Sequence, residues 1–272
     1  MAVRIMVPLD GSGLSETAIP FACDLASFTG GIVRLVRVHT SGEADRAQQD
    51  AEREYLAEFA RDLEYGRFID AVHLLGGNPA PSLNDYINNE EIDVVVMATH
   101  GRAGMSRAIS GSVADELVRI AQVPIVMLRP DDESFDYPIR HHFSHIIIPV
   151  DGTKSSETMV DVAIALFGTA PRFTLVEVMS PPEHLREFVD SLRARGINID
   201  YVVLEGLNVA DAVREYAARE NADLIAMITS GRAGWKRWLM GSVGAELIHK
   251  APVPLMLLRN RKLDPASLVE AE

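Results

Sequence analysis

The stretch RIMVPLDGSGLSETAIPFA, residues 4–22, returns later in the chain as HIIIPVDGTKSSETMVDVA, residues 145–163. Each begins as a short β-rich apolar run, turns at an aspartate–glycine pair (Asp10 or Asp151), and enters a helical pattern after Ser-Glu-Thr. A second pair repeats as well: ATHGRAGMSRAISGSVADEL, residues 98–117, and ITSGRAGWKRWLMGSVGAEL, residues 228–247. Asp10 and Asp151 are 141 residues apart, whereas Gly101 and Gly231 are 130 apart, so the second copy is eleven residues shorter. The difference falls between the second and third strands, where the first copy carries the polar run TSGEADRAQQDAEREYLAEFARDLEYG, residues 40–66. The copies close alike, on QVPIVMLRP and PVPLMLLRN. An internal repeat of this length predicts two units of one architecture. Residues 1–135 and 142–272 are the expected domains, and the charged, proline-bearing run DDESFDYPIRHHF, residues 131–143, reads as the linker.

Within the first copy, the apolar runs VRIMVP, GIVRLVRV, IDAVHLL, IDVVVMA and VPIVML alternate with helical patterns. Helices are expected after Ser15, around Ala51–Leu63, after Pro81 and over SVADELVRIA, residues 112–121. The run after Asp93 is unbroken in its hydrophobicity, as in a strand covered on both faces. Alternation of this kind predicts right-handed crossovers and an α/β fold: two repeated open, five-stranded, mostly parallel sheets with helices on both faces. The pattern leaves the strand order open.

The 272 residues, 47% apolar and 24% charged, suit a soluble globular protein of two domains. No apolar run approaches the roughly 18 residues of a membrane span, and Pro8 and Asp10 interrupt anything resembling a signal peptide. The single cysteine, Cys23, has no internal disulfide partner, so a cytoplasmic setting is expected and Cys23 is read as a core residue. A formal charge of −13 argues against a nucleic-acid partner.

That acidity makes the glycine segments stand out. The first, from Ala98 to Ser112, carries Arg102 and Arg107; its twin carries Arg232, Lys236 and Arg237. Each follows the fourth strand of its copy and precedes a helix, the place where open α/β sheets hold ligands. Glycine there lets backbone N–H groups reach a phosphate, and the helix opening at Gly111-Ser112 points its free N–H groups to the same place. The same residues also suit a protein without a ligand. Ser112 with Asp115 forms a capping box, and the apolar side chains Met105, Ile109, Trp235, Trp238 and Leu239 fall at helical spacing. Neither copy has a Walker loop, a full dinucleotide fingerprint or a nucleophile elbow. His141, His142 and His145 read as a patch of the linker, with neither cysteine nor framed carboxylate to complete a metal site. No catalytic residue stands out; His100 beside Gly101 is the nearest to a general base.

The chain resembles the universal stress protein family in its tandem form, over essentially its whole length. The resemblance rests on VPLDGS followed by SET, on VVVMATHGRAG, on the Gly-Ser ten residues past Gly101, and on VPIVMLR. It implies the strand order 3-2-1-4-5 and antiparallel pairing of the terminal strands, within the chain or between copies. It further implies ATP or AMP as ligand, often accompanied in the family by a divalent metal such as Mg, in a stress-response or signalling role with an unidentified protein partner. The implied binding set in the first copy is Pro8, Leu9, Asp10, Val38, Met97, Ala98, Gly101, Arg102, Gly111, Ser112 and Val113. In the second it is Asp151, Val178, Gly231, Gly241 and Ser242. The aspartates would contact the nucleoside, the backbone at Val38 and Val178 the adenine, and the glycine loop with its serine the phosphates. The family's first motif glycine is Ala98 here and Ile228 in the twin. Ala98 keeps most of the space, while the branched Ile228 crowds the ribose position, so the first copy is expected to hold the better site. The alternative is a nucleotide-free interaction scaffold of the same fold; an enzymatic role, such as nucleotidyl transfer, has no signature.

Overall fold

The structure is a computed structural model that describes residues 2–39, 50, 54, 66–99, 112–129, 143–151, 154–178, 183–206, 208–229 and 243–259. The first half contains β1 (Arg4–Leu9), α1 (Gly13–Glu16), α2 (Ala18–Thr29), β2 (Ile32–His39), β3 (Ile69–Gly76), α3 (Pro79–Asn89), β4 (Val94–Ala98), α4 (Ser112–Ile120) and β5 (Ile125–Leu128). The second contains β6 (His145–Pro149), α5 (Lys154–Phe167), β7 (Arg172–Val178), α6 (Glu183–Ala194), β8 (Ile199–Leu204), α7 (Val209–Arg219), β9 (Leu224–Thr229), α8 (Val243–Lys250) and β10 (Leu255–Arg259). The helix expected over residues 51–63 lies, apart from Glu54, outside the described residues.

All ten strands form one sheet in the order β3-β2-β1-β4-β5-β10-β9-β6-β7-β8. Each half therefore has the order 3-2-1-4-5 and is parallel throughout. The halves meet where β5 and β10 pair antiparallel, Val126 opposite Met256. This pairing covers the two strands whose Ile-Val-Met-Leu and Leu-Met-Leu-Leu runs would otherwise expose apolar, unpaired edges.

Alternation along the strands divides the core in two. Ile5, Val7, Leu9, Leu35 and Val96 face α2, while Ile148, Leu175 and Ala226 face α5 and α6 on the same side of the sheet. Met6, Val36, Val95 and Met127, with Ile147, Val176 and Ile225, face α3, α4, α7 and α8 on the other. The repeat extends to hydrogen bonds at the amino ends of the central strands. The Arg4 N–H donates to Asp93 Oδ2 at 2.8 Å, and the His145 N–H donates to Asp223 Oδ2 at 2.9 Å.

The reading of residues 131–143 as linker is corrected at its last residue. Phe143 is only 3% exposed; its ring packs edge-on against Phe21 and Phe28, both at 5.4 Å, and tilted against Phe167 at 5.1 Å. Phe21 and Phe28 belong to α2 and Phe167 to α5, so one aromatic side chain joins the helices of both halves. His145 is likewise no surface patch. It begins β6, is buried, and sets Nε2 2.8 Å from Thr174 Oγ1. Burial lowers its pKa below the ordinary imidazole value.

Candidate nucleotide site at the switch point

In each half the strand order reverses between its first and fourth strands, so the loops after them leave from one end of the sheet and part to opposite faces. In the first half this end is built on Asp10. Its Oδ1 accepts from the Ser12 N–H at 2.9 Å and from the Ser12 hydroxyl at 2.6 Å. The Ser12 hydroxyl oxygen in turn caps α1 by accepting from the Ser15 N–H at 3.2 Å. The Asp10 N–H donates to Ser15 Oγ at 3.3 Å. Partial burial pushes the Asp10 carboxyl upward, but hydrogen bonds, those from Ser12 first and then from Ser15 and the backbone, together outweigh it and hold the group below the usual carboxylate range. Glu16 nearby is raised, by burial and then by the Asp10 charge. Asp10 is thus an ionised, oriented acceptor at the mouth of the crevice.

The sequence reading missed the cation beside it. Arg37 stands opposite Leu9 in the β1–β2 register. Its guanidinium lies against Gly11 so closely that a Cβ at Gly11 would meet Nη1 and Nη2 at 2.8 Å. Gly11 has φ +84°, a left-handed conformation that a side chain disfavours, so the backbone favours glycine here, and the Arg37 guanidinium lies in the space a Cβ would take. Val38 follows at the end of β2 with its half-buried side chain on the opposite face.

Pro8 and Leu9 lead into Asp10, Pro8 half-buried and Leu9 buried in the core. Met97 is buried on the α3–α4 side, and Ala98, the last residue of β4, is half-buried on the α2 side, the face that Leu9 also lines. Thr99 ties the end of β4 to β5, its N–H donating to the Leu128 carbonyl at 2.8 Å. Ser112 opens α4, which leads from β4 to its parallel neighbour β5 and therefore has its N-terminus at the crevice end of the sheet. Val113 packs, half-buried, in the core beneath. Asp10, Ala98 and Ser112 thus belong to one end of one sheet. Gly101, Arg102 and Gly111 lie outside the described residues, as do His100, Arg107, Gly231, Gly241 and Ser242.

The second half reproduces the backbone and changes the chemistry. Asp151 is exposed after β6, and Val178 ends β7 half-buried. Ile228 occupies the place of Ala98 and packs against the core on the α5–α6 side. Pro8 pairs with Val36 and Pro149 with Val176, so the residue after each is structurally equivalent: Arg37 in the first half, Glu177 in the second. Glu177 is 2% exposed, and its Oε2 is buried without a hydrogen-bond partner among the described residues. A carboxylate replaces a guanidinium at the same point of the crevice. Both residues directly precede the valines expected to receive adenine, so reading one position back in VRLVRV and TLVEV gives the signal.

Among the described residues, no three His, Cys, Asp or Glu side chains cluster as metal ligands, and no helix is long and apolar enough to cross a membrane. Cys23 is buried in α2, and burial pushes its thiol up to about 12, which removes it as a nucleophile.

Comparison with known proteins agrees with this architecture. The model of the universal stress protein family matches residues 1–129 and 183–259. Universal stress protein Rv2005c of Mycobacterium tuberculosis is 26% identical over 210 residues, 68% of each chain. Universal stress protein Rv1996 of the same organism is 22% identical over 312 aligned positions, covering 96% of each chain. The crystal structure of a universal stress protein from Archaeoglobus fulgidus superposes with a TM-score of 0.77 at 17% identity, covering 94% of this chain and 98% of that one.

Proposed function

We propose that this chain, which belongs to the universal stress protein family, binds an adenine nucleotide in its first half and signals through the bound state. The observation that carries this reading is the crevice after β1. It holds an ionised, oriented Asp10 and a guanidinium laid on Gly11, at the sheet end where α4 opens. A fixed carboxylate suits nucleoside hydroxyls, whereas a guanidinium and the free N–H groups of a helix start suit phosphates. The phosphate cradle of Gly101, Arg102, Gly111 and Ser112 is inferred from the sequence, as is Mg accompanying ATP. Binding would change the chain's shape or its protein partners, in the cytoplasm, and any hydrolysis would be slow because no general base has been assigned. Residues 1–135 and 142–272 would be the two units, the second a nucleotide-free scaffold. Ile228 and Glu177 support that role for it.

Thermal melting with and without ATP-Mg tests the reading. A ligand at about 100 times its Kd adds about 2.7 kcal/mol to the folded state. At about 2–4 °C per kcal/mol, the shift is several degrees. Gly111→Val is expected to remove the shift and Gly241→Val to keep it, each compared with its own ligand-free melt. An unmutated protein that shows no shift with ATP or AMP would leave the scaffold role for both halves.

A further inference from the structure

We propose that the residue before the last valine of the second strand in each half selects for or against phosphate: Arg37 admits a phosphate-bearing ligand to the first half, and Glu177 excludes one from the second. The inference rests on the nucleotide reading above and names the charge that decides it.

Four observations converge. Strand register gives Arg37 and Glu177 the same place in the repeat, one residue after the partner of the strand-one proline. Parity of the strand puts both side chains on the face that carries Leu35 in one half and Leu175 in the other, the face to which the loops after β1 and β6 lead. The Arg37 guanidinium reaches that loop, lying on Gly11 beside Asp10. Glu177 is buried there, with one carboxylate oxygen that has no hydrogen-bond partner among the described residues. A buried carboxylate with open acceptor capacity seeks a donor and repels a phosphate. Replacing +1 by −1 inverts the local field, and in a crevice screened less than bulk water a single unit charge within a few ångströms changes anion affinity by about tenfold or more. Ile228 already puts a larger side chain where the first half has Ala98; Glu177 adds discrimination by charge, which a ligand without phosphate would not feel.

The test uses the full chain, with ATP-Mg and adenosine as probes, by equilibrium dialysis and calorimetry. Arg37→Gln is expected to weaken ATP by about tenfold or more while adenosine stays within about twofold, and Arg37→Lys to recover most of the ATP affinity. Equal losses for both probes, or none for either, would overturn the assignment of Arg37. For the second half, Ile228→Ala alone is compared with Ile228→Ala combined with Glu177→Gln, which keeps the shape and removes the charge. A second equivalent of ATP in the double variant, absent from the single one, is the expected result. No second equivalent in a double variant that still melts cooperatively would overturn the role of Glu177. An unmutated chain that binds neither probe defeats the nucleotide reading itself. One that binds both while indifferent to Arg37 and Glu177 defeats only this inference.

Discussion

Replacing Phe143 by alanine tests how the two halves are joined. Its ring is buried and meets Phe21 and Phe28 of α2 and Phe167 of α5, with centroids 5.1–5.4 Å apart. Truncating a buried phenylalanine costs about 3–5 kcal/mol, through lost transfer energy and the cavity left behind. The upper part of that range applies here, because three aromatic contacts vanish together and Phe21 is itself fully buried, unable to collapse toward solvent. At about 4–5 kcal/mol and about 2–4 °C per kcal/mol, the melting temperature should fall by about 8–20 °C. Calorimetry is the assay, with Phe143→Leu as a milder companion that keeps most of the volume. The shape of the transition carries as much information as its midpoint. Phe143 packs across the boundary, so its loss should broaden or split a single unfolding event into one for each half. A shift of less than about 2 °C with one sharp transition would contradict this, for it would mean that β5–β10 pairing and the other contacts between the halves couple them without Phe143.

Three further outcomes follow from individual groups. Asp223→Ala should cost more than Asp93→Ala in urea denaturation. Asp223 Oδ2 accepts from the Ser144 N–H, the Ser144 hydroxyl and the His145 N–H at a buried site, whereas the corresponding bond from Arg4 to Asp93 is exposed. Burial lowers the pKa of His145 in the folded state, so the unfolded chain binds the proton more readily. The contribution of His145 to stability is therefore complete above the ordinary value of 6.5 and declines as pH falls from there through the lowered one. His145→Gln should flatten that part of the stability–pH curve, and an unchanged slope would remove His145 as its source. Cys23, its thiol pushed up to about 12 by burial, should resist iodoacetamide at neutral pH until the protein is unfolded; rapid labelling of the folded chain would contradict its placement.

The sequence made the fold legible because its signals were redundant. Two copies of strand–Asp-Gly–helix, each with an unbroken apolar fourth strand, leave little besides a doubly wound sheet, and the resemblance supplied the order 3-2-1-4-5. The resemblance named Asp10, and the structure places it after β1 at the switch point with its carboxylate oriented by Ser12. Ser12 and Ser15 were not legible, because they act by orienting Asp10 rather than by facing a ligand, and spacing does not report an Asx-type turn. Arg37 was hidden for another reason. In VRLVRV, arginines fall at both Arg34 and Arg37, and only strand parity sends the second to the Gly11 side while the first pairs with Glu90 on the other. Phe143 looked like the end of a charged linker because its partners lie more than a hundred residues back and two dozen ahead in the chain. Non-local packing of this kind leaves no periodic trace.

The central claim is that one half of this two-fold repeat holds a nucleotide and the other does not. Isothermal titration of the intact protein with ATP-Mg tests it most directly. One equivalent of ATP per chain is expected, lost on Gly111→Val and retained on Gly241→Val. Two equivalents of similar affinity would contradict it, because Ile228 and Glu177 would then be no obstacle to binding. A single equivalent lost on Gly241→Val and retained on Gly111→Val would contradict it as well, and would place the working site in the second half.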